Sequence, residues 1–295
     1  MTSPKWERVT IVGCGLVGAS FALALRRAGA CRRIAGWDSR PATLDEARAR
    51  GIIDEVDASF TGGGESSSNL FYLALPVGEI IRFLRESGSR IKHSALVTDA
   101  GSTKVEICDA ARACLPEGRH FIGGHPIAGS HLAGVAHARA DLLENAPYVL
   151  VGSESDDEGE EGKSHSVAAL EETLRLVGAR VVWMTAAEHD RAMSFVSHLP
   201  QILSSALHAT INGQPDAGAL VNLSGTGYRD MTRLAESSWL VWRDILQTNP
   251  APIVAALDAI TDRLKAVRDE LQQHAELQAN DLARTGELFQ RPLRE

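Results

Sequence analysis

Val9-Thr10-Ile11-Val12-Gly13-Cys14-Gly15-Leu16-Val17-Gly18 is the stretch that decides the fold. Four β-favouring apolar residues read as a strand, a GxGxxG turn follows directly, and an apolar-periodic run then predicts a helix from Leu16 to Ala28. In that context each glycine has a physical task. Gly13 permits the tight turn, Gly15 lets backbone amides approach a pyrophosphate, and Gly18 allows the helix to pack closely on the strand. Leu16 and Val17 open the helix whose positive dipole end faces the phosphates. A second strand candidate, Arg33 to Asp38, ends in a carboxylate twenty residues beyond Gly18. Asp38 is thereby placed to accept hydrogen bonds from adenosine ribose hydroxyls. The same carboxylate repels a 2'-phosphate, so NAD is favoured over NADP. Arg40 is close enough to stack on adenine or bind that phosphate, which leaves NADP open, and its bland reading is a surface arginine.

Outward from this motif, the first half alternates short β-rich runs with helical ones, the βαβ grammar of a parallel sheet. Further strand candidates are Asn69 to Leu75, Ala95 to Asp99 and Tyr148 to Val151, with Arg180 to Met184 completing the same sheet. The run SESDDEGEEGKSHS at 153–166 has almost nothing to bury and reads as a solvated acidic loop near the end of a dinucleotide-binding domain over 1–184. From 185 to 295 the pattern is helical. Thr185 and Glu188 have the form of a capping box, and an amphipathic segment follows as far as Ile211. Phe195, Leu199, Ile202 and Ala206 form its expected core face, while Ser194, His198, Gln201 and Ser205 form its polar face. Pro200 predicts a kink. A last helix, Pro252 to Gln278, carries Ile253, Leu257, Ile260, Leu264, Val267 and Leu271, a stripe for packing within the domain or across a dimer.

Length and composition fit a two-domain soluble protein. A net charge of -8 argues against nucleic acid, whose binders concentrate Lys and Arg against phosphate. Cys14, Cys31, Cys108 and Cys114 have neither CxxC spacing nor scaffold density and read as reduced thiols. The opening MTSPKWERVT lacks the apolar core of a secretory signal and no stretch has bilayer-spanning length, so the expected location is cytoplasmic, without a membrane partner. Histidines are scattered and no HExxH or clustered Cys/His spacing appears, so no metal is expected.

A dinucleotide fold leaves the substrate open. Phe121-Ile122-Gly123-Gly124-His125-Pro126-Ile127-Ala128-Gly129 places one histidine in what reads as a rigid, Gly/Pro-bounded turn, where it can serve as a general base near neutral pH. GGHPxAG, with Asp99-Ala100-Gly101-Ser102 upstream and with Ser197-His198-Leu199-Pro200 and Gly227-Tyr228-Arg229-Asp230-Met231-Thr232-Arg233 downstream, resembles the prephenate/arogenate dehydrogenase family over about residues 8 to 280. The resemblance implies a Rossmann-type α/β dinucleotide-binding domain followed by an all-α dimerisation domain, with substrate held between them and a homodimer formed by the helices.

The resemblance also implies chemistry. The histidine matching His125 takes the proton of the cyclohexadienol C4 hydroxyl while hydride leaves C4 for the nicotinamide, and loss of the ring carboxylate as CO2 completes aromatisation. The serine matching Ser102 would orient that hydroxyl, or cap a helix beginning near Thr103. The arginine matching Arg233 would pair with a substrate carboxylate, or make an intradomain ion pair. His198, Gln201 and Ser130 are further candidate substrate contacts, with an interhelical hydrogen bond as the alternative for His198. His189 and Asp190 match a His-Asp pair read as structural, with Asp190 also favourable to a helix dipole. Two departures bear on the substrate. Gln201 stands where many prephenate-specific members have histidine, and His131 where many have glutamate, which leaves arogenate, prephenate or both as substrate. The chain ends too soon after the helical half for an appended regulatory domain to be expected. Two competing readings are a β-hydroxyacid-type dehydrogenase and a non-catalytic NAD-binding protein. The first would need a catalytic lysine in the second domain, where the only lysines after the acidic loop begins are Lys163 and Lys265.

Overall fold

The computed structural model describes residues 4–62, 64–129, 132–152, 165–277 and 285–286. The acidic run at 153–164 and the positions Ser130 and His131 lie outside the described residues. By packing, the chain forms two compact units, one of residues 1–193 with 236–248 and one of residues 194–235 with 249–295.

The first unit is built on eight strands: β1 (Trp6–Val12), β2 (Cys31–Trp37), β3 (Glu55–Val56), β4 (Leu70–Leu73), β5 (Leu96–Asp99), β6 (His120–Pro126), β7 (Pro147–Val151) and β8 (Arg180–Met184). Their order in the sheet is β3-β2-β1-β4-β5-β6-β7-β8. All neighbours run parallel except β6 and β7. The order reverses between β1 and β4, which opens a crevice at the carboxyl ends of these strands. Helix Leu16–Ala28 has the predicted limits and ends on Gly29, at φ 62°, where a side chain would be strained.

Alternation along the central strands explains the core. Ile11, Tyr72 and Leu96 enter one apolar cluster with Phe21, Leu170 and Leu174; their neighbours Val12, Phe71 and Val97 enter the other with Ile80, Leu84 and Ile107. Successive strand residues point to opposite faces, and both faces are covered by helices, so these strands carry apolar residues on both faces. A polar patch interrupts β1: Thr10, fully buried, bonds Asp57 and Ser68, both at 2.7 Å.

Two helices of the second half pack with this unit. Helix Ala186–Met193 opens on the predicted capping box, in which the Thr185 amide donates to Glu188 Oε2 at 2.9 Å and the Glu188 amide to Thr185 Oγ1 at 3.2 Å. Helix Trp239–Thr248 brings the Asp244 carboxylate to the Gly78 amide at 3.0 Å, where it caps helix Val77–Ser87.

The second unit holds helices Leu199–Asn212, Ala217–Asn222, Thr226–Thr232 and Pro250–Leu277. Ser194–His198 form a π turn, so the irregularity expected at Pro200 falls just before it. Proline has no amide hydrogen to give, and its ring crowds the preceding turn; widening that turn relieves both. The expected polarity of this segment is partly reversed within the chain. Ser194, His198 and Gln201 of the expected polar face are buried but Ser205 is exposed, whereas on the expected core face Phe195 is 39% exposed, Ala206 is exposed, and Leu199 and Ile202 are half-buried. His198 Nδ1 meets Asn249 Nδ2 at 3.2 Å and Gln201 bonds the Leu234 carbonyl at 2.7 Å, while the hydroxyl of Ser204, also buried, has no partner among the described residues. On the last helix Ile253 is buried, but Leu264 and Leu271 are 58% and 47% exposed.

Candidate active site

At the carboxyl end of β1 the glycines behave differently from one another. Gly13 has φ 93°, and a Cβ there would strike the Ala74 carbonyl and Leu75 Cδ2. A Cβ at Gly18 would strike the Gly13 carbonyl and lie 2.8 Å from Ile11 Cγ2. Gly15 is the contrast: a Cβ would meet nothing within 4 Å. Gly13 and Gly18 are thus required by the protein's own packing, while Gly15 borders open space at an N-terminus that no side chain caps. The amides of Leu16 and Val17 begin that helix, the geometry in which backbone donors take a phosphate. Asp38 lies beside the loop. Its Oδ2 accepts from the Cys14 amide at 3.0 Å and its Oδ1 from the Arg40 amide at 3.0 Å. The Arg40 guanidinium is 70% exposed, with Nε 3.7 Å from Asp38. These features fit a dinucleotide. The Cys14 thiol is buried in the same loop, and burial together with the Asp38 charge pushes it up to about 12, so it stays protonated at neutral pH.

His125 does not sit in a turn. It is in β6, paired with Val149 of β7 in the antiparallel ladder that also carries Gly124 to Leu150 and Pro126 to Tyr148. The run Gly-Gly-His-Pro is held extended by this long-range partner, which local turn signals do not reveal. The strand places His125 on the same sheet edge as the glycine loop. Beneath it, Asp99 and Lys104 form an ion pair with both side chains fully buried. Lys104 Nζ also donates to the Gly124 carbonyl at 2.7 Å, and Asp99 accepts from the Gly124 amide at 2.9 Å and the Gly101 amide at 2.8 Å. The peptide groups flanking Gly124 are therefore clamped one residue before His125. Gly124 itself must be glycine, because a Cβ would lie 2.9 Å from both Thr98 Oγ1 and Tyr148 Oη.

The His125 ring meets His189, with Nδ1 2.8 Å from His189 Nε2. His189 Nδ1 is 2.8 Å from Asp190 Oδ1, and Asp190 accepts the amides of Lys104 at 2.7 Å and Val105 at 2.9 Å. Asp190 thereby caps helix Val105–Cys114, which has no side-chain cap of its own. The dipole that Asp190 serves belongs to this helix and not to its own. Burial, aided by the Lys104 charge and opposed by the Asp190 hydrogen bond, holds the His189 pKa below the ordinary histidine value.

Ser102 lies half-buried in the turn between β5 and that helix. Asp190 takes the capping role, and among the described residues no hydrogen bond joins the Ser102 hydroxyl to His125. In the second unit, Gln201 Nε2 donates to the Leu234 carbonyl at 2.7 Å and to Ser205 Oγ at 3.3 Å. Gln201 thus anchors the turn Arg233–Glu236, while the Arg233 side chain is exposed and has no carboxylate within ion-pair distance among the described residues. His198 makes the interhelical bond to Asn249. Lys265 pairs with Asp262 on an exposed helical face, which gives no support to a lysine-based dehydrogenase.

Sequence reasoning missed Lys104 and Asp244. A lysine five residues after an aspartate, at a strand-to-helix turn, was the available signal for the first; for Asp244 there was none.

Two family models match in tandem: the prephenate dehydrogenase nucleotide-binding domain over residues 21–183 and the prephenate dehydrogenase dimerization domain over residues 185–285. The chain is 35% identical over 269 residues to prephenate dehydrogenase of Bacillus subtilis (strain 168), covering 90% of this chain and 71% of that protein. It is 36% identical over 247 residues to prephenate dehydrogenase of Lactococcus lactis subsp. cremoris (strain MG1363), covering 83% of this chain and 65% of that one. The solved structure of prephenate dehydrogenase from A. aeolicus in complex with hydroxyphenyl propionate and NAD+ superposes with a TM-score of 0.83 at 28% identity, covering 96% of each chain. With both domain models matched in order across a sheet and a helical unit of this architecture, the chain belongs to the prephenate dehydrogenase family.

Proposed function

We propose that this chain is an NAD-dependent dehydrogenase that oxidises and decarboxylates a cyclohexadienol, prephenate or arogenate, to 4-hydroxyphenylpyruvate or tyrosine in tyrosine biosynthesis. The observation that carries the reading is His125, clamped through Gly124 and aimed by His189, on the same sheet edge as a glycine loop fitted to a dinucleotide. Bound NAD supplies the hydride acceptor; Gly13, Gly15, Leu16, Val17 and Gly18 hold its pyrophosphate and Asp38 its ribose, with Arg40 at the adenine end. His125 takes the proton of the substrate hydroxyl as C4 gives up hydride, and Ser102 orients that hydroxyl. The ring carboxylate leaves as CO2, and its bonding electrons complete the aromatic ring. Arg233 pairs with a substrate carboxylate, with Gln201 setting the turn that carries it, and His198 and Ser130 complete the substrate contacts.

The division at residues 184 and 185 into cofactor and substrate domains belongs to the same reading. So do a homodimer and a cytoplasmic location. The exposure of Val196, Leu264 and Leu271, at 69%, 58% and 47%, supports the dimer, since apolar surface left in water favours a partner. No described helix is long and apolar enough to cross a membrane.

The test is reduced-nicotinamide formation by purified protein in four mixtures, prephenate or arogenate with NAD or NADP, for the wild type and His125→Asn. Turnover with NAD is expected in at least one mixture. His125→Asn should lower kcat by roughly 10²–10⁴-fold, the usual contribution of a general base, with NAD affinity retained. No turnover by the wild type, or full activity in the variant, overturns the reading.

A further inference from the structure

We propose that His189, held by Asp190, is a positioning residue that fixes the tautomer of His125, so that Nδ1 carries the hydrogen and Nε2 is the nitrogen that receives the substrate proton. The inference rests on His125 being the base, and it adds what makes it one.

The direction of each hydrogen bond follows from its partners. Backbone amides can only donate, and two of them, from Lys104 and Val105, converge on the Asp190 carboxylate. The same carboxylate oxygen that takes the Lys104 amide also meets His189 Nδ1 at 2.8 Å, so Nδ1 of His189 bears a hydrogen. The charged groups acting on His189 are Asp190 on its own helix, Lys104 before helix Val105–Cys114, and Asp99 on β5. Burial and the Lys104 charge disfavour its cationic form, and a neutral imidazole protonated at Nδ1 has its lone pair on Nε2. That lone pair faces His125 Nδ1 at 2.8 Å, with the rings inclined at 66°. Two acceptors at that distance would repel, so His125 Nδ1 is the donor. Neutral His125 then accepts protons only at Nε2.

The arrangement has a second consequence. An acceptor at His125 Nδ1 binds the imidazolium more strongly than the neutral ring, because hydrogen bonds from charged donors are the stronger ones. His189 therefore favours the state formed when His125 takes the proton, while Asp190 is kept in place by the helix it caps. His189 never needs to touch substrate.

The experiment uses protein labelled with 15N in its ten histidines, with His125 and His189 assigned from the spectra of His125→Asn and His189→Gln. Two-bond nitrogen–proton correlations should show His125 and His189 both as Nδ1–H tautomers at neutral pH. His189→Leu, which removes the acceptor, should redistribute the His125 tautomers and lower kcat by roughly 10–100-fold, part of the usual general-base contribution. Its KM should stay within about twofold, and the acid limb of kcat/KM should move to lower pH. His189→Gln restores a carbonyl acceptor and should recover much of kcat and the position of the acid limb, which repair of packing alone would not do. An Nε2–H tautomer for wild-type His125, or His189→Leu with wild-type kcat and pH profile, overturns the proposal. The spectra need no turnover. An Nδ1–H His125 in a protein inactive with both substrates, or active after His125→Asn, would refute the functional reading and leave the tautomer assignment standing.

Discussion

Lys104→Met isolates the buried ion pair beneath the site. Lys104 and Asp99 are both fully buried, and removing the cation strands a carboxylate in the core. Breaking one side of such a pair costs about 3–5 kcal/mol. Asp99 keeps the amides of Gly101 and Gly124, which hold part of its charge and place the expected loss toward the lower end of that range. The Gly124 carbonyl also loses its donor, at a further cost of about 1 kcal/mol. The total, about 4 kcal/mol, is a large share of the roughly 5–15 kcal/mol that holds a typical folded protein. Lys5→Met is the control, since Lys5 pairs with Glu172 at 2.6 Å but with both side chains at least 30% exposed, where a pair contributes less than about 1 kcal/mol. All five tryptophans, Trp6, Trp37, Trp183, Trp239 and Trp242, lie in the first packing unit, so urea unfolding followed by their fluorescence reports that unit alone. Equal midpoint shifts for the two variants at unchanged slope would refute the reasoning, because burial is the difference being tested.

Arg233→Ala should raise KM for the cyclohexadienol by roughly 10–100-fold, the equivalent of one lost charged hydrogen bond, with kcat nearly unchanged in steady-state assays; an unchanged KM removes Arg233 from the site. Gly18→Ala and Gly15→Ala should separate packing from ligand binding. The first forces the helix off Ile11 and costs about 1–3 kcal/mol in thermal unfolding, whereas the second leaves stability within about 0.5 kcal/mol and weakens NAD in fluorescence titration. Burial opposes ionisation of Asp57, but hydrogen bonds from Ser59, Ser66 and Thr10 and the Arg8 charge outweigh it and hold its carboxyl below the ordinary value. Its contribution to stability is therefore present above the unfolded pKa of about 3.9 and is lost as pH falls through the lower folded value. Asp57→Asn should accordingly destabilise the protein at neutral pH, and the difference from wild type should close below about pH 4 in urea titrations.

What could be read from the sequence was set by the range of the forces involved. Helix Leu16–Ala28 and the Thr185–Glu188 box are specified by neighbours within four residues, and both are where local chemistry puts them. β6 is not: Gly123, Gly124 and Pro126 favour a turn locally, and only pairing with β7, more than twenty residues on, keeps His125 extended. The caps of helices Val105–Cys114 and Val77–Ser87 reach further still, from Asp190 and Asp244, 85 and 166 positions away. A capping signature is searched for immediately before a helix, so a carboxylate delivered by another helix carries no local mark. The segment 194–206 shows a different limit. Its two faces were visible in the periodicity, but hydrophobic spacing says only that one face avoids water, not whether its own chain covers it. Here the polar His198 and Gln201 are buried and satisfied inside the unit, and Phe195 faces outward. The residues that tune the site are legible only once their distant partners are placed. For His125 this matters directly: its side chain and its motif name the base, but which nitrogen can act as one is decided by His189 and Asp190, sixty-four and sixty-five positions later in the chain.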